Sequence, residues 1–353
     1  MAPQLVQAMD EHVVVEMKSD MQKSFAGSAE MPSRVHHGAD QPLVYIIVIS
    51  YNGVPSITTC LTSLLSTTHT RFKVMVIDNA SSDGTPTVVQ NEFPGVELTV
   101  CGRNLGYGDA CNRGIKRALD AGADYVALFN QDVVVEPRWL SQLLEAAQTV
   151  PEAGILSPLQ IVPGTNRIDP SVAETIGYER VEDVGRADDP KRRIIDTDWA
   201  IGAALLLTRR LLDTVGGFDP FYFMYGEETD LCNRARFHGF KIVTVTDAHV
   251  YHRSTFSECS FHPKIRRLYF RNQYVLFLKN PRDSFLKNLY GYVRCTFCQT
   301  TARAWRDPRI RVPGAASAFG FLVDLMITQM SIAVAMFRLA RSQREERLGR
   351  WHL

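Results

Sequence analysis

From Pro42 onward, apolar β-branched runs alternate with stretches whose apolar residues recur at helical spacing; no such order precedes it. The runs 43–50, 72–78, 96–101 and 125–130 read as strands, and the intervals near 55–68, 84–92 and 107–121 read as helices. This alternation predicts an α/β fold: a mixed, mostly parallel sheet covered by helices on both faces. The strand runs are apolar throughout rather than at every second position, as expected of strands buried on both sides. Beyond about 152 the pattern loosens, and the Pro-, Gly- and Asp-rich stretch 163–198 reads as loops or a lid. Order returns over 199–208 and 243–252, and past 261 the chain becomes helical and basic. The expected organisation is a flexible tail over 1–41, an α/β domain over 42–260 and a helical region over 261–353.

In open α/β sheets ligands gather beyond the carboxyl ends of the strands, and there this chain turns polar. The first strand runs into Ser50, Tyr51 and Asn52, the second into Asp78-Asn79-Ala80-Ser81-Ser82-Asp83-Gly84, and the fourth into Asn130-Gln131-Asp132. A carboxylate at Asp78 can accept the imide N–H of uracil or thymine; the plainer reading is a strand-to-helix turn in which Asp83 caps the next helix. The stretch from Asn104 through Gly106, Gly108 and Asn112 opens a helix with two glycines, which permit close backbone approach to a nucleotide or simply a tight helix start. Extended geometry would aim Asn130 and Asp132 the same way, toward one diphosphate. Asp132 suits Mg²⁺ or Mn²⁺, hard cations that bridge phosphate oxygens.

Three acids, Glu227, Glu228 and Asp230, open a further helical pattern. They are favourable at a helix N-terminus as such. Crowding would also raise a carboxyl pKa and make a general base for a hydroxyl acceptor. His249 and His252 lie near the end of the strand-like run 243–252; one of them beside Asp132 would complete a metal site, although a histidine in such a place is commonly structural.

Composition narrows the field. Among 353 residues, 39 Lys and Arg against 38 Asp and Glu give a net charge of +1, without the basic excess of a nucleic-acid binder. Seven cysteines at irregular spacing make no disulfide framework and point to a reducing, cytoplasmic compartment. Cys295 and Cys298 form a single CxxC without a second ligand pair, so two thiols on one helix face is the simpler reading. Early acids (Asp10, Glu11, Glu16) exclude a signal peptide.

Taken in order, Ile49-Ser50-Tyr51-Asn52, Asp78 to Thr85, Asn104-x-Gly106-Tyr107-Gly108, Asn130-Gln131-Asp132, Gly202-Ala203, Gly216-Gly217-Phe218-Asp219 and Tyr225-Gly226-Glu227-Glu228-x-Asp230 resemble the family 2 glycosyltransferases, inverting enzymes of GT-A fold. The strings at 104–108 and 215–225 look most like the rhamnosyltransferase branch, which uses dTDP-β-L-rhamnose; similar strings occur in galactosyltransferases using UDP-galactose. The resemblance implies donor contacts from Ser50, Tyr51, Asn52, Asp78, Asn79, Asp83, Asn104, Gly106, Gly108, Asn112, Asn130, Gln131 and Asp132, with Asp78 on the base. It implies acceptor contacts from Trp199, Gly202 and Tyr225, a divalent metal on Asp132 and His252, and a catalytic base at Glu228 or its neighbours Glu227 and Asp230. The partners implied are a dTDP- or UDP-sugar and a saccharide or polyprenyl-linked acceptor at the inner face of the plasma membrane, in cell-wall or surface polysaccharide synthesis. Glu228 stands where the family usually has Asp, and Asn130 replaces the first acid of Asp-x-Asp. These departures leave open a nucleotide-sugar-binding protein without catalysis.

Residues 314–337 carry a single charged residue, Asp324. Polar and small residues at 324, 328, 331 and 335 form a stripe that Arg338 continues, which suits a helix lying in a membrane interface, while an acid at mid-membrane would cost about 2.5–3.5 kcal/mol. Packing on the catalytic domain or on a second subunit is the other expectation.

Overall fold

The computed structural model describes residues 41–69, 71–185, 193–252, 263–298 and 315–347. The expected tail over 1–40, part of the expected lid (186–192) and Cys259 lie outside the described residues. The chain divides into two compact units. Of the described residues, the first takes in those up to 105, 110–210 and 241–252, and the second 106–109, 211–240 and those from 263 onward. The latter joins the Glu227–Asp230 stretch to the carboxyl-terminal helices, so the expected boundary near 260 cuts across it.

The first unit is built on nine strands: β1 (Val44–Ser50), β2 (Phe72–Asp78), β3 (Glu97–Val100), β4 (Tyr125–Asn130), β5 (Val134–Val135), β6 (Ala153–Ile161), β7 (Ile194–Thr197), β8 (Ala204–Thr208) and β9 (Lys241–Tyr251). Their order is β3-β2-β1-β4-β8-β6-β9-β5, with β7 also paired to β9. β3, β2, β1 and β4 run parallel. β8 is antiparallel to β4 and β6, which makes the sheet mixed from there on. Helices α1 (Ile57–Leu65), α2 (Thr85–Glu92), α3 (Tyr107–Asp120) and α4 (Trp139–Thr149) fill the connections.

Residue parity on β1 shows why the run is apolar throughout. Val44, Ile46 and Val48 join Leu61 and Leu64 of α1 and Leu140 and Leu143 of α4 in one core. Ile47, on the opposite face, meets α3 so closely that a Cβ on Gly114 would lie 2.6 Å from its Cγ2. Burying such side chains contributes about 1.5–3 kcal/mol each, enough to fix which face each helix covers. Trp139 is fully buried, edge-on to Phe129 and donating to Thr67 Oγ1 at 3.0 Å.

Two expectations need correction. Order does not loosen at 152: β6 is a nine-residue strand buried along its whole length. Pro158 hides it, because a proline removes a ladder donor and argues against a central strand; the strand tolerates it where its register with β9 shifts between Pro158 and Leu159. Nor is 163–198 wholly loop. It contains α5 (Pro170–Ile176), capped by Asp169, α6 (Val181–Gly185) and β7, with Ile168, Val172, Ile176 and Val184 packed on Leu159 and Ile161.

In the second unit, α7 (Arg209–Val215, from Leu211 onward) and α8 (Glu227–Phe237) join α9 (Pro263–Lys279), α10 (Phe285–Cys298) and α11 (Ala315–Arg347). Tyr222, Tyr274, Val275, Leu278, Tyr292, Ile332 and Leu339 form its core, so α11 packs on its own unit. The polar stripe that suggested an interfacial helix is divided, with Arg338 exposed at its end. Thr328 is buried and Ala335 packs against the core, although Ser331 is exposed; the side chain of Asp324 is not described. Among the described residues no helix is long and apolar enough to cross a membrane. Four cysteines, 60, 101, 111 and 232, are buried thiols outside any disulfide; Cys295 and Cys298 lie in α10 with undescribed side chains.

Candidate active site

In the first unit the polar strand ends form one hydrogen-bonded shelf. Gln131 ties β4 to the end of β1: its Oε1 accepts from Ser50 Oγ at 3.0 Å and Tyr51 N at 2.8 Å, and its Nε2 donates to Tyr51 O. A Cβ at Gly53 would stand 2.3 Å from that Oε1, so a larger residue there would push the Gln131 amide off its hydrogen bonds. Asn52, at φ 50°, accepts from Ser82 N through Oδ1, and its own N–H donates to Ser81 Oγ. Asn79 Oδ1 accepts from Leu105 N at 2.8 Å, and its Nδ2 donates to Asn104 Oδ1 at 3.1 Å.

Asp78 is fully buried, and Ser81 donates to both its oxygens, through N at 2.9 Å and Oγ at 2.5 Å. Asp83 accepts from Thr85 N and Val54 N, the capping turn that was the plainer expectation. Burial opposes its ionisation, but the hydrogen bonds from Thr85 and Val54 outweigh it and hold its pKa below the ordinary Asp value. Asn112 sits partly buried on α3. Trp199 and Gly202, both partly buried, precede β8 beside β4, where Ala203 O accepts from Asn130 N at 3.0 Å.

β4 ends at Asn130, and residues 131–132 form a turn, so the period-two argument that aimed Asn130 and Asp132 together does not reach Asp132. What the turn achieves is to set Asp132 Oδ1 3.8 Å from Nε2 of the buried His252. Nδ1 of His252 is buried without a hydrogen-bond partner among the described residues, so no acceptor ties up the ring. A carboxylate and an imidazole nitrogen at this separation fit one divalent cation after a contraction of under about 1 Å, with phosphate and water completing the shell. No group of three or more ligand side chains occurs among the described residues. His249 is structural: Glu136 Oε1 and Thr246 O take its ring nitrogens at 3.3 and 3.0 Å.

In the second unit the three acids separate by environment. Glu227 is buried and its Oε2 has no hydrogen-bond partner among the described residues; burial, then the charges of Glu228 and Asp230, push its pKa well up. Glu228 is only partly buried, and its Oε2 accepts from Gly226 N at 3.2 Å. Burial raises its pKa too, against the backbone hydrogen bonds. The pair titrates together, and the upward push is the stronger on Glu227. Asp230 is spent on structure: Oδ1 accepts from Tyr222 Oη and Lys279 Nζ, and Oδ2 from Arg234 Nε at 2.8 Å. Lys279 and Arg234, outweighing burial, hold its pKa below the ordinary value, the opposite of what a base needs.

The loop leading to these acids is held from α9. Asn272 Nδ2 donates to Tyr222 O, Met224 O and Tyr225 O, the last at 2.6 Å, while Arg271 donates to Phe221 O and Tyr222 O. Phe223 and Tyr225 are thereby kept at φ 64° and 68°, which disfavours non-glycine residues. Gly106 and Gly108 admit the same loop. A Cβ at Gly106 would meet Phe223 O at 2.2 Å and one at Gly108 would meet Phe218 Cβ at 2.9 Å. Gly106→Ala therefore adds a clash to a left-handed φ of 82° and should cost about 2–4 kcal/mol. Gly84→Ala, at φ 92° with nothing within 4 Å, should cost less than half as much in urea melts.

Residues 45–216 match the profile of Glycosyl transferase family 2. The N-acetylglucosaminyl-diphospho-decaprenol L-rhamnosyltransferase of Mycobacterium tuberculosis is 34% identical over 244 residues, 60% of this chain and 76% of that protein. The chain belongs to the family 2 glycosyltransferases. Rhamnosyltransferase WbbL of Escherichia coli is 25% identical over 250 residues, 66% of this chain and 91% of that one. Mannosyltransferase PcManGT from Pyrobaculum calidifontis, solved with GDP-Man and Mn²⁺, aligns over 96% of both chains at 16% identity with a TM-score of 0.53. S. aureus TarS 1-349 in complex with UDP aligns over 87% of this chain and 88% of that one, at 16% identity and a TM-score of 0.51. These two share the glycosyltransferase's GT-A fold.

The residues that hold the acidic loop of this glycosyltransferase in place carry little signal in its sequence. Asn272, Arg271 and Lys279 had no visible signal, because a basic, amphipathic helix some 50 residues downstream reads as surface. Arg234 could have been found: it follows Asp230 by four positions, the spacing of a helical ion pair.

Proposed function

We propose that this enzyme transfers L-rhamnose from dTDP-β-L-rhamnose to a hydroxyl of a polyprenyl-diphosphate-linked saccharide. The likeness to the mycobacterial enzyme, whose name specifies L-rhamnose and a decaprenyl-linked acceptor, carries the choice of sugar and acceptor. The shelf from Ser50 to Asn52 and Asp78 to Asn104 holds the nucleoside, with Ser81 releasing Asp78 Oδ2 when the base arrives. Asp132 and His252 hold Mg²⁺ or Mn²⁺, which when bound neutralises charge on the departing nucleoside diphosphate. Trp199, Gly202 and Tyr225 contact the acceptor. Glu228 takes the acceptor hydroxyl proton as that oxygen bonds to the anomeric carbon, and the bond from that carbon to the diphosphate oxygen breaks. One displacement inverts the centre.

A panel of dTDP-rhamnose, UDP-galactose, UDP-N-acetylglucosamine and GDP-mannose, offered with polyprenyl-diphosphate N-acetylglucosamine with and without Mn²⁺, tests this reading. Transfer from dTDP-rhamnose alone supports it, and preference for another donor replaces the sugar. Asp132→Asn should weaken Mn²⁺ binding in calorimetry by more than about tenfold, since loss of an outer-shell partner alone costs that much. Unchanged Mn²⁺ affinity would remove Asp132 from the metal site.

A further inference from the structure

We propose that the second unit docks on an anionic bilayer surface through one face of α11. Successive helical residues advance about 100°, so Met326, Ile327, Met330, Val334 and Phe337 fall within an arc of about 100°. All five are exposed, Val334 to 88% and Phe337 to 93%. The opposite side carries Thr328, Ile332, Leu339, Ser342 and Gln343, and it is buried. The packed side thus mixes Ile332 and Leu339 with buried polar groups, while the outer side over 326–337 carries large apolar side chains in water. Water does not favour that arrangement, and exposed apolar patches of this kind mark surfaces that meet something else. α10 repeats the pattern, with Leu286 and Tyr290 exposed to 77% and 70% one turn apart.

The charge on the same arc selects the occupant. Arg338, Arg341 and Arg344 continue it toward the helix end, all exposed, and the one acid that shares the arc over 326–347, Glu345, is partly buried. Arg338 also lies over the Phe221 ring, 5.3 Å from its centroid, which anchors the basic end. A second copy laid on this arc would set guanidinium groups against one another or against apolar side chains. Anionic headgroups accept both halves: the apolar side chains enter the acyl boundary while each arginine gains from the surface potential. The absence of a spanning helix among the described residues fits a helix lying in the plane of the interface. Docking is independent of which sugar is moved, and its test reads vesicle binding rather than transfer.

The full chain should co-float with vesicles of equal parts phosphatidylcholine and phosphatidylglycerol, and several-fold less with phosphatidylcholine alone. Val334→Glu with Phe337→Glu should weaken this binding about tenfold. Arg341→Glu with Arg344→Glu should do the same and remove most of its salt sensitivity. Both pairs are exposed, so their thermal melts should match the parent. The proposal is overturned if the parent fails to float with anionic vesicles, if it floats equally with both, or if either pair leaves binding unchanged. It is equally overturned if sedimentation shows a dimer that Val334→Glu with Phe337→Glu dissociates, since a second copy then covers the face.

Discussion

Glu228→Gln should reduce turnover by about 10²–10⁴ while leaving the nucleotide dissociation constant within about twofold. The amide matches the carboxylate in size and its oxygen can still accept from Gly226 N, which lies 3.2 Å from Oε2 in the parent, so the loop need not move. What is lost is the ability to take a proton. Because burial raises the Glu228 pKa, the acid limb of kcat/KM should lie above the ordinary glutamate range. A base works only when ionised, so activity falls as pH drops through that raised value, and the limb should vanish in the residual activity of the variant. Asp230→Asn is the informative companion: it should lower stability and leave the acid limb in place, because Asp230 is already ionised and bound to Lys279 and Arg234. Near-normal turnover in Glu228→Gln would remove it as the base and return attention to Glu227.

The sequence exposed those parts of the molecule where a polar residue interrupts an apolar run. Strands β1, β2 and β4 were legible because their ends switch from Ile, Ile and Phe to Ser, Asp and Asn, and those ends are the shelf of the first unit. β6 was not, because Pro158 and Gln160 lie within a strand whose burial comes from its neighbours β8 and β9 rather than from its own composition. Asp132 was found for a partly mistaken reason: the residue is there, but a turn, not strand alternation, sets it beside His252. In the acid cluster the spacing of Glu227, Glu228 and Asp230 was visible and their division of labour was not. Telling a buried ion-pair member from an accessible base required the partners, and Lys279 lies 49 positions beyond Asp230. Gly106 and Gly108 show the same limit. Both were read as room for a nucleotide or as a tight helix start, and in the second unit they make room for the 218–223 loop.

Lys279→Met should destabilise the fold by about 3–5 kcal/mol, comparable with much of a domain's net stability. Its ammonium lies between Asp219 Oδ2 at 2.6 Å and Asp230 Oδ1 at 3.0 Å, over the Tyr222 ring, with all four groups buried. Arg234 completes the set by binding Asp230 and donating to Val215 O and Gly217 O. Two carboxylates and two cations thus balance among buried side chains. Methionine matches the lysine stem in shape, so the cost is not a cavity but a carboxylate left in low dielectric without its counter-charge. The deficit should therefore be repairable by charge rather than by volume: adding Asp219→Asn to Lys279→Met should recover at least about 1 kcal/mol in urea melts. Asp219 Oδ1 also accepts from Phe221 N, at the start of the loop that Arg271 and Asn272 hold, so the single variant should lose transfer activity well below its melting temperature. If Lys279→Met melts within about 1 kcal/mol of the parent, the buried quartet contributes little and the loop is held by Asn272 and Arg271 alone.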